Sequence, residues 1–339
     1  MKTDDKQVVQ SKFFRKLKNN KIKCLLCRHY CELSEGQTGI CGVNKNENGY
    51  LINLVYGRVA ALNIDPIEKK PLYHFLPGTT ALSLGTVGCN MQCSFCQNWQ
   101  ISQEKTILQK DFVAPVQIVD LALQYKAKSI AYTYNEPTVF YPYARDIALY
   151  AKHYGIKNIF VTNGIESEEV IKDMKNIIDA ANVDFKAFDQ QYYKRELKAP
   201  FSVRETLQLM KKTGLWVEVT TLIIPGINDQ PEHLKKIANF IAQKLGTETP
   251  WHLSAFHPDY KMQDRSTTPV TTLEKAYEIA RHTGLQFVYI GNVGLRKNIT
   301  YCPYCHKALI ERLGYQILSN RIIDGKCVYC KTKIPGIWN

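Results

Sequence analysis

From residue 79 onward, short apolar runs alternate with longer segments of mixed character. The apolar runs cover residues 81–87, 129–134, 158–162, 182–188, 216–224, 252–256 and 286–290. They are rich in Val, Ile, Phe, Tyr and Thr, and most lack strict alternation, as strands covered on both faces do. The segments between them, 114–126, 139–154, 167–181, 203–213, 231–245 and 273–283, read as helices. Repeated β–α order predicts a parallel α/β sheet. Six or seven strands fall short of the eight that close a barrel.

Polar motifs gather where these strands end. Cys89 follows the first, Asn135-Glu136-Pro137 the second, Thr162-Asn163-Gly164 the third and Pro225-Gly226 the fifth. In α/β barrels the chemistry sits at the C-terminal ends of the strands.

At 339 residues, 45% apolar and 22% charged, the chain has the make-up of a soluble globular protein with one large domain and small appendages. No apolar run reaches the length that spans a bilayer. The stretch 51–64 is interrupted by Asn53 and Arg58, and the first residues are polar and basic. No membrane association and no signal peptide are expected, and the expected location is the cytoplasm.

In that compartment eleven cysteines are not a disulfide framework. They fall into three groups: Cys24, Cys27, Cys31 and Cys41; Cys89, Cys93 and Cys96; and Cys302, Cys305, Cys327 and Cys330. Groups of four, three and four with none left over point to metal chemistry. The first and last groups mark small modules at 1–78 and 293–339, flanking the barrel. The net charge of +13 is concentrated there, because residues 1–24 and 296–339 each hold eight Lys/Arg against two Asp/Glu. Solvation and compensation of thiolate charge account for this better than nucleic-acid binding, which is not expected.

The central group, Cys89-x3-Cys93-x2-Cys96, places three thiolates where they can hold three corners of a [4Fe-4S] cube and leave one iron open. A fully ligated cube takes four cysteines, and zinc usually takes two C-x2-C pairs. This motif, with Phe95 before its third cysteine, is the signature of the radical S-adenosylmethionine (SAM) superfamily. The resemblance implies that Cys89, Cys93 and Cys96 ligate the cluster and that SAM chelates the open iron. Reductive cleavage of SAM would then give a 5′-deoxyadenosyl radical that abstracts hydrogen from a substrate. It places Phe95 near the adenine, and it implies an α/β partial barrel, open on one side, over residues 79–292, which the six or seven strands fit. Tyr134-Asn135-Glu136-Pro137 stands where many members have Gly-Gly-Glu-Pro, whose backbone meets the SAM amino group. Asn135 and Glu136 are therefore candidate SAM contacts, although Tyr in place of the first Gly departs from the pattern; Asn135 is expected to tolerate unusual backbone angles and Tyr134 is not.

Val161-Thr162-Asn163-Gly164 resembles the Asp-Thr-Asn-Gly of glycyl-radical activating enzymes, with Val161 replacing an Asp that helps bind a cation. Asn163 is kept as a cofactor contact and the cation site is not. Asp184-Phe185-Lys186 resembles their Asp-Leu-Lys, which makes Lys186 a SAM contact or a salt-bridge partner of Asp184 or Asp189. Pro250-Trp251-His252 resembles their Pro-Tyr-His, which makes His252 a SAM contact. Together with Trp251 to Pro258, Thr300 to Cys305 and Pro335 to Trp338, these segments resemble the AmmeMemoRadiSam-system radical SAM enzymes, relatives of pyruvate formate-lyase activating enzyme. The resemblance implies AMMECR1-like and Memo-like proteins as partners, beside an electron donor such as flavodoxin or ferredoxin.

Cys302-x2-Cys305 with Cys327-x2-Cys330 has the spacing of a zinc ribbon, and a rubredoxin-like iron site has the same ligands. Cys24-x2-Cys27-x3-Cys31-x9-Cys41 is less regular and suits either zinc or an additional Fe–S cluster that feeds electrons to the first. Within the enzyme reading, the substrate is a small molecule, a protein residue or the glycyl site of a partner protein. The alternative of another class is a metal-stabilised nucleic-acid-binding module, which leaves the three-cysteine motif unexplained.

Overall fold

The structure, a computed structural model, describes residues 9–106 and 111–339. Six short strands open the chain: β1 (Val9–Gln10), β2 (Phe14–Lys16), β3 (Ile22–Cys24), β4 (Glu32–Leu33), β5 (Asn44–Glu47) and β6 (Tyr50–Asn53). β1, β6 and β5 make one three-stranded sheet, and β2, β3 and β4 make another.

Eight strands then form the central sheet, in an order that follows the chain: β7 (Ala61–Pro66), β8 (Thr80–Gly85), β9 (Ser129–Tyr132), β10 (Lys157–Thr162), β11 (Ala180–Asp184), β12 (Trp216–Ile223), β13 (Trp251–Ala255) and β14 (Val288–Gly291). β8 to β14 are parallel, and they are the seven strands the apolar runs predict. β9 is buried at every position, as a parallel strand with both faces covered must be. The sheet is an open barrel whose edges are β7 and β14.

The eighth strand is not evident in the sequence pattern. β7 runs antiparallel to β8, from Ala61 opposite Gly85 to Pro66 opposite Thr80. It is half-polar and ends in proline, both of which suit an edge. At the other edge, no strand among the described residues pairs with the free side of β14. Asn298 takes that place: its Oδ1 accepts from the Ile290 N–H at 3.3 Å and its Nδ2 donates to the Ile290 carbonyl at 2.9 Å.

Helices wrap the sheet. Val203–Thr213 buries Val203, Thr206, Leu207 and Met210, one stripe at helical spacing, and stops at Gly214 with φ +91°. The helix expected over 167–181 ends at Met174. Asn176 turns the chain with φ +66°, and β11 begins at Ala180. Among the described residues no helix is long and apolar enough to cross a membrane.

Beyond the barrel, β15 (Lys297–Tyr301), β16 (Ala308–Leu313) and β17 (Gln316–Asn320) form an antiparallel sheet, followed by the hairpin β18 (Ile322–Ile323) and β19 (Lys326–Cys327). This unit packs under the barrel. Arg312, fully buried, donates to the Tyr73 carbonyl at 2.7 Å and to Thr300 Oγ1 at 2.9 Å, with its guanidinium 4.4 Å from the Tyr73 ring centre. His74 donates from Nδ1 to the Pro335 carbonyl at 2.7 Å, while its Nε2 meets the Tyr289 hydroxyl at 2.7 Å. Burial lowers the His74 pKa to about 4 and keeps the ring neutral.

Candidate active site

Strand ends β8 to β12 surround one cavity. Cys89, Cys93, Phe95 and Cys96 line it from the loop after β8. Thr133 to Glu136 come from β9, Thr162 and Asn163 from β10, Asp184 and Lys186 from β11, and Leu222 from β12. The candidate residues Phe95, Asn135, Glu136, Asn163 and Lys186 are thus brought together with the three cysteines.

The cysteine loop is held from two sides. Asn135 Oδ1 accepts from the Thr86 N–H at 3.2 Å, and its Nδ2 donates to the Gly88 carbonyl at 2.6 Å. On the other face, Gly88 has φ +84°, and a Cβ there would stand 2.8 Å from the Cys41 carbonyl oxygen and 2.5 Å from Val43. Only glycine fits both the backbone and the contact. Cys96 Sγ lies 3.1 Å from Ser102 Oγ.

Glu136 is buried and accepts five hydrogen bonds. Thr138 N, Thr138 Oγ1 and Thr162 Oγ1 reach Oε1, and Asn163 N and Nδ2 reach Oε2. The carboxylate therefore fastens the loop after β9 to the loop after β10. Glu166, also fully buried, hydrogen-bonds Thr162 Oγ1 from the far side. Burial, then the Glu136 charge, raises its pKa to about 8. One hydroxyl proton cannot serve two carboxylates, so Glu166 carries its own proton and donates to Thr162, which donates to Glu136. In the sequence Glu166 is indistinguishable from Glu168 and Glu169, ordinary acids at a helix start.

Lys186 Nζ is 2.7 Å from Asp184 Oδ2 and 5.6 Å from the Phe95 ring centre. Burial opposes its charge, but Asp184 and Cys93 outweigh it and hold the ammonium firmly protonated. Lys186 forms the salt bridge with Asp184 and also lines the cavity. Burial pushes the Cys93 thiol up to about 12, with Lys186 opposing, and pushes Cys89 up as well, with Glu136 and Cys93 adding to the effect. Thiolates that burial disfavours this strongly are stabilised by bound metal, which displaces their protons.

Where the common motif has glycine, Tyr134 takes it over in conformation as well as position, with φ +71°. Asn135, the residue expected to tolerate unusual angles, is not among the positive-φ residues. The Asn135 N–H bonds back to the Thr133 carbonyl at 3.0 Å, which makes a tight three-residue turn. A tyrosine in this region costs about 1–3 kcal/mol and persists only when its surroundings fix it. Its hydroxyl donates to Asp65 Oδ2 and accepts from Asn63 Nδ2, both at 3.0 Å, and Lys70 Nζ lies 5.1 Å from the ring centre. Asn63 and Asp65 belong to β7, so the edge strand anchors the turn.

His252 does not join the cavity. It sits two residues into β13, low in the barrel, with Nε2 2.7 Å from Glu218 Oε2 and the ring packed on Tyr73 and Tyr289. Glu218, fully buried, also accepts from Tyr73 N, His74 N and Trp216 Nε1. The expectation of a SAM contact at His252 is corrected on this geometry: its proton serves the barrel floor.

The outer cysteine groups differ in spread. Cys302, Cys305, Cys327 and Cys330 bring their sulfurs within 4.8 Å of one another, with Cys302–Cys330 at 3.5 Å and Cys305–Cys327 at 3.7 Å. A tetrahedral ion with metal–sulfur bonds of about 2.3 Å needs about 3.8 Å. This quartet is a metal site in shape as well as in donors. Cys24, Cys27, Cys31 and Cys41 share a second, smaller cavity behind Asn90.

Comparison with known proteins agrees with this geometry. The sequence profile of the Radical SAM superfamily matches residues 83–241. The uncharacterized protein MJ0808 of Methanocaldococcus jannaschii is 43% identical over 331 residues, 96% of this chain and 98% of that one. The pyruvate formate-lyase-activating enzyme of Clostridium pasteurianum is 23% identical over 194 residues, 52% of this chain and 80% of its own. The solved structure of Streptococcus suis SuiB bound to S-adenosylmethionine shares the fold, with a TM-score of 0.50 at 11% identity, over 68% of this chain and 53% of that chain. The chain belongs to the radical SAM superfamily and is an enzyme of that class.

The residues present fit the cofactors that membership implies. Three cysteines line one cavity, and their sulfurs are not drawn together as the C-terminal quartet's are, which suits a multi-iron core better than one ion. Membership of the superfamily implies a [4Fe-4S] cluster and SAM as its cofactors.

Proposed function

We propose that Cys89, Cys93 and Cys96 hold the [4Fe-4S] cluster, that SAM occupies the cavity beside it, and that the enzyme abstracts hydrogen from a substrate at this mouth. When bound, the cluster and SAM supply a carbon radical by reductive cleavage of the sulfonium. The protein's part is to bind, orient and exclude water. Phe95 and Leu222 offer apolar walls. The Thr133–Tyr134 turn turns backbone polar groups toward the cavity for the amino group. Lys186 offers a fixed positive charge to an anionic group. The Glu136–Asn163 link keeps two of the walls in register. The observation that carries this reading is the convergence of the three cysteines with Phe95, Lys186 and the Tyr134 turn in one cavity.

The whole-chain pattern supports membership of the AmmeMemoRadiSam-system family, with AMMECR1-like and Memo-like proteins as partners and a flavodoxin- or ferredoxin-class electron donor. We propose a metal-stabilised tail at Cys302–Cys330, with zinc as its ion, and three units at 1–78, 79–292 and 293–339. A second reading, activation of a glycyl-radical enzyme, is favoured by the similarity to the Clostridium pasteurianum activating enzyme. Against it, Val161 lines the cavity where those enzymes carry the cation-binding Asp.

The test is anaerobic. Reconstituted and reduced protein with SAM is expected to release 5′-deoxyadenosine, and Cys93→Ala is expected to release none. An intact reduced cluster whose EPR signal SAM leaves untouched, with no cleavage, would overturn the reading.

A further inference from the structure

We infer that Cys24, Cys27, Cys31 and Cys41 hold a second iron–sulfur cluster, set back to back with the site of the first. Three observations carry this. The first is spread. The four cysteines face one another around a shared cavity, and a Cβ on Gly39 would stand 3.7 Å from both Cys31 Sγ and Cys41 Sγ. Yet among the described residues only the C-terminal quartet draws its ligand atoms within 4.8 Å. The same chain therefore shows a single-ion cage at Cys302–Cys330 and two wider sets, at Cys24–Cys41 and Cys89–Cys96. A wide set of four thiolates matches a four-iron core, which takes four cysteines, better than one tetrahedral ion.

The second is a donor aimed at sulfur. Asn90 is buried and lines the N-terminal cavity, where its side-chain nitrogen is in no close hydrogen bond and is turned toward the Cys27 sulfur. A buried amide N–H without an acceptor is costly, and anionic cluster sulfur would supply the acceptor.

The third is position. Asn90 directly follows Cys89, and its carbonyl accepts from His29 Nε2 at 2.8 Å. The Cys41 carbonyl presses on Gly88. Cys27 pairs with Glu166 as a β-bridge, and Arg28 Nε donates to the Glu166 carbonyl at 3.0 Å. The N-terminal quartet is thus fixed against the very loop that carries the other cysteines. The assignment shares with the proposed function only the comparison to Cys89, Cys93 and Cys96; its own residues are separate.

The full chain, reconstituted anaerobically with iron and sulfide, should hold about eight acid-labile sulfides, two cubes' worth. Iron at the C-terminal quartet would add no sulfide, so sulfide is the diagnostic count. Mössbauer spectra of the iron-57 protein should show SAM perturbing one cube and leaving the other, a readout that needs no variant. A Cys27→Ser/Cys31→Ser variant should fall to about four sulfides while keeping the SAM-responsive signal. About four sulfides in the parent, all SAM-responsive, with zinc at the N-terminal quartet, would overturn the inference. Eight sulfides with no response to SAM would uphold it and sink the proposed function instead.

Discussion

Glu136 holds Asn163 twice, taking the backbone N–H at 2.8 Å and the side-chain amide at 2.9 Å on the same carboxylate oxygen. The two residues end neighbouring parallel strands, so this pair sets the spacing of two cavity walls. Glu136→Gln puts a donor where the carboxylate accepts, and hydrogen bonds to a charged group are each worth about 1.5–3 kcal/mol. The variant is expected to lose about 2–4 kcal/mol of stability and to bind SAM at least tenfold more weakly. Urea unfolding and a SAM titration followed by EPR check this; parent-like affinity in the variant would remove Glu136 from the site.

The proton on Glu166 makes stability depend on pH. Its folded pKa, about 8, lies above the ordinary 4.5. The stabilisation is complete below about pH 4.5 and is lost as pH rises through 8, because the unfolded chain releases the proton first. In that window the parent should lose about 1.4 kcal/mol per pH unit relative to Glu166→Gln, which cannot ionise. Unfolding free energies at pH 5, 6.5 and 8 give both slopes. Parallel slopes would mean that Glu166 is ionised in the fold.

His252 and Glu218 act together below the cavity. His252→Gln is expected to cost about 2–4 kcal/mol, since Glu218 would keep its burial and lose its closest partner. SAM affinity should change less than threefold. A large loss of SAM affinity without loss of stability would return His252 to the cofactor.

Tyr134 carries backbone strain that glycine would not. Tyr134→Gly relieves that strain and gives up the anchor to Asn63 and Asp65, so the melting temperature should move little. SAM affinity should fall several-fold, because the turn no longer has one preferred shape. Tyr134→Phe keeps the ring and loses two hydrogen bonds, and should fall between the two. Unchanged SAM binding in both variants would deny the anchor any positioning role.

The seven parallel strands were legible because strands buried on both faces leave continuous apolar runs, and the site motifs were legible because they sit where those runs stop. β7 was hidden for the opposite reason: an edge strand with Asn63, Asp65 and Pro66 carries the composition of a loop. His252 was misplaced because Pro-x-His describes a local sequence, whereas the ring's partner, Glu218, lies 34 residues away on the next strand. Glu166 gave no signal, since its role arises from Thr162 and Glu136 and not from its neighbours in sequence. Tyr134 was expected not to take an unusual backbone angle, and it takes one; the anchor on β7 that fixes it could not be read before β7 was known.

Asn298 has a consequence for how the molecule meets its own copies. An open barrel exposes two edges, and an exposed edge recruits strands from other molecules. With two bonds to Ile290, one side-chain amide occupies the position a visiting strand would claim first. Removing it, as in Asn298→Ala, should leave the cavity residues in place and free this edge of β14 to pair with another copy.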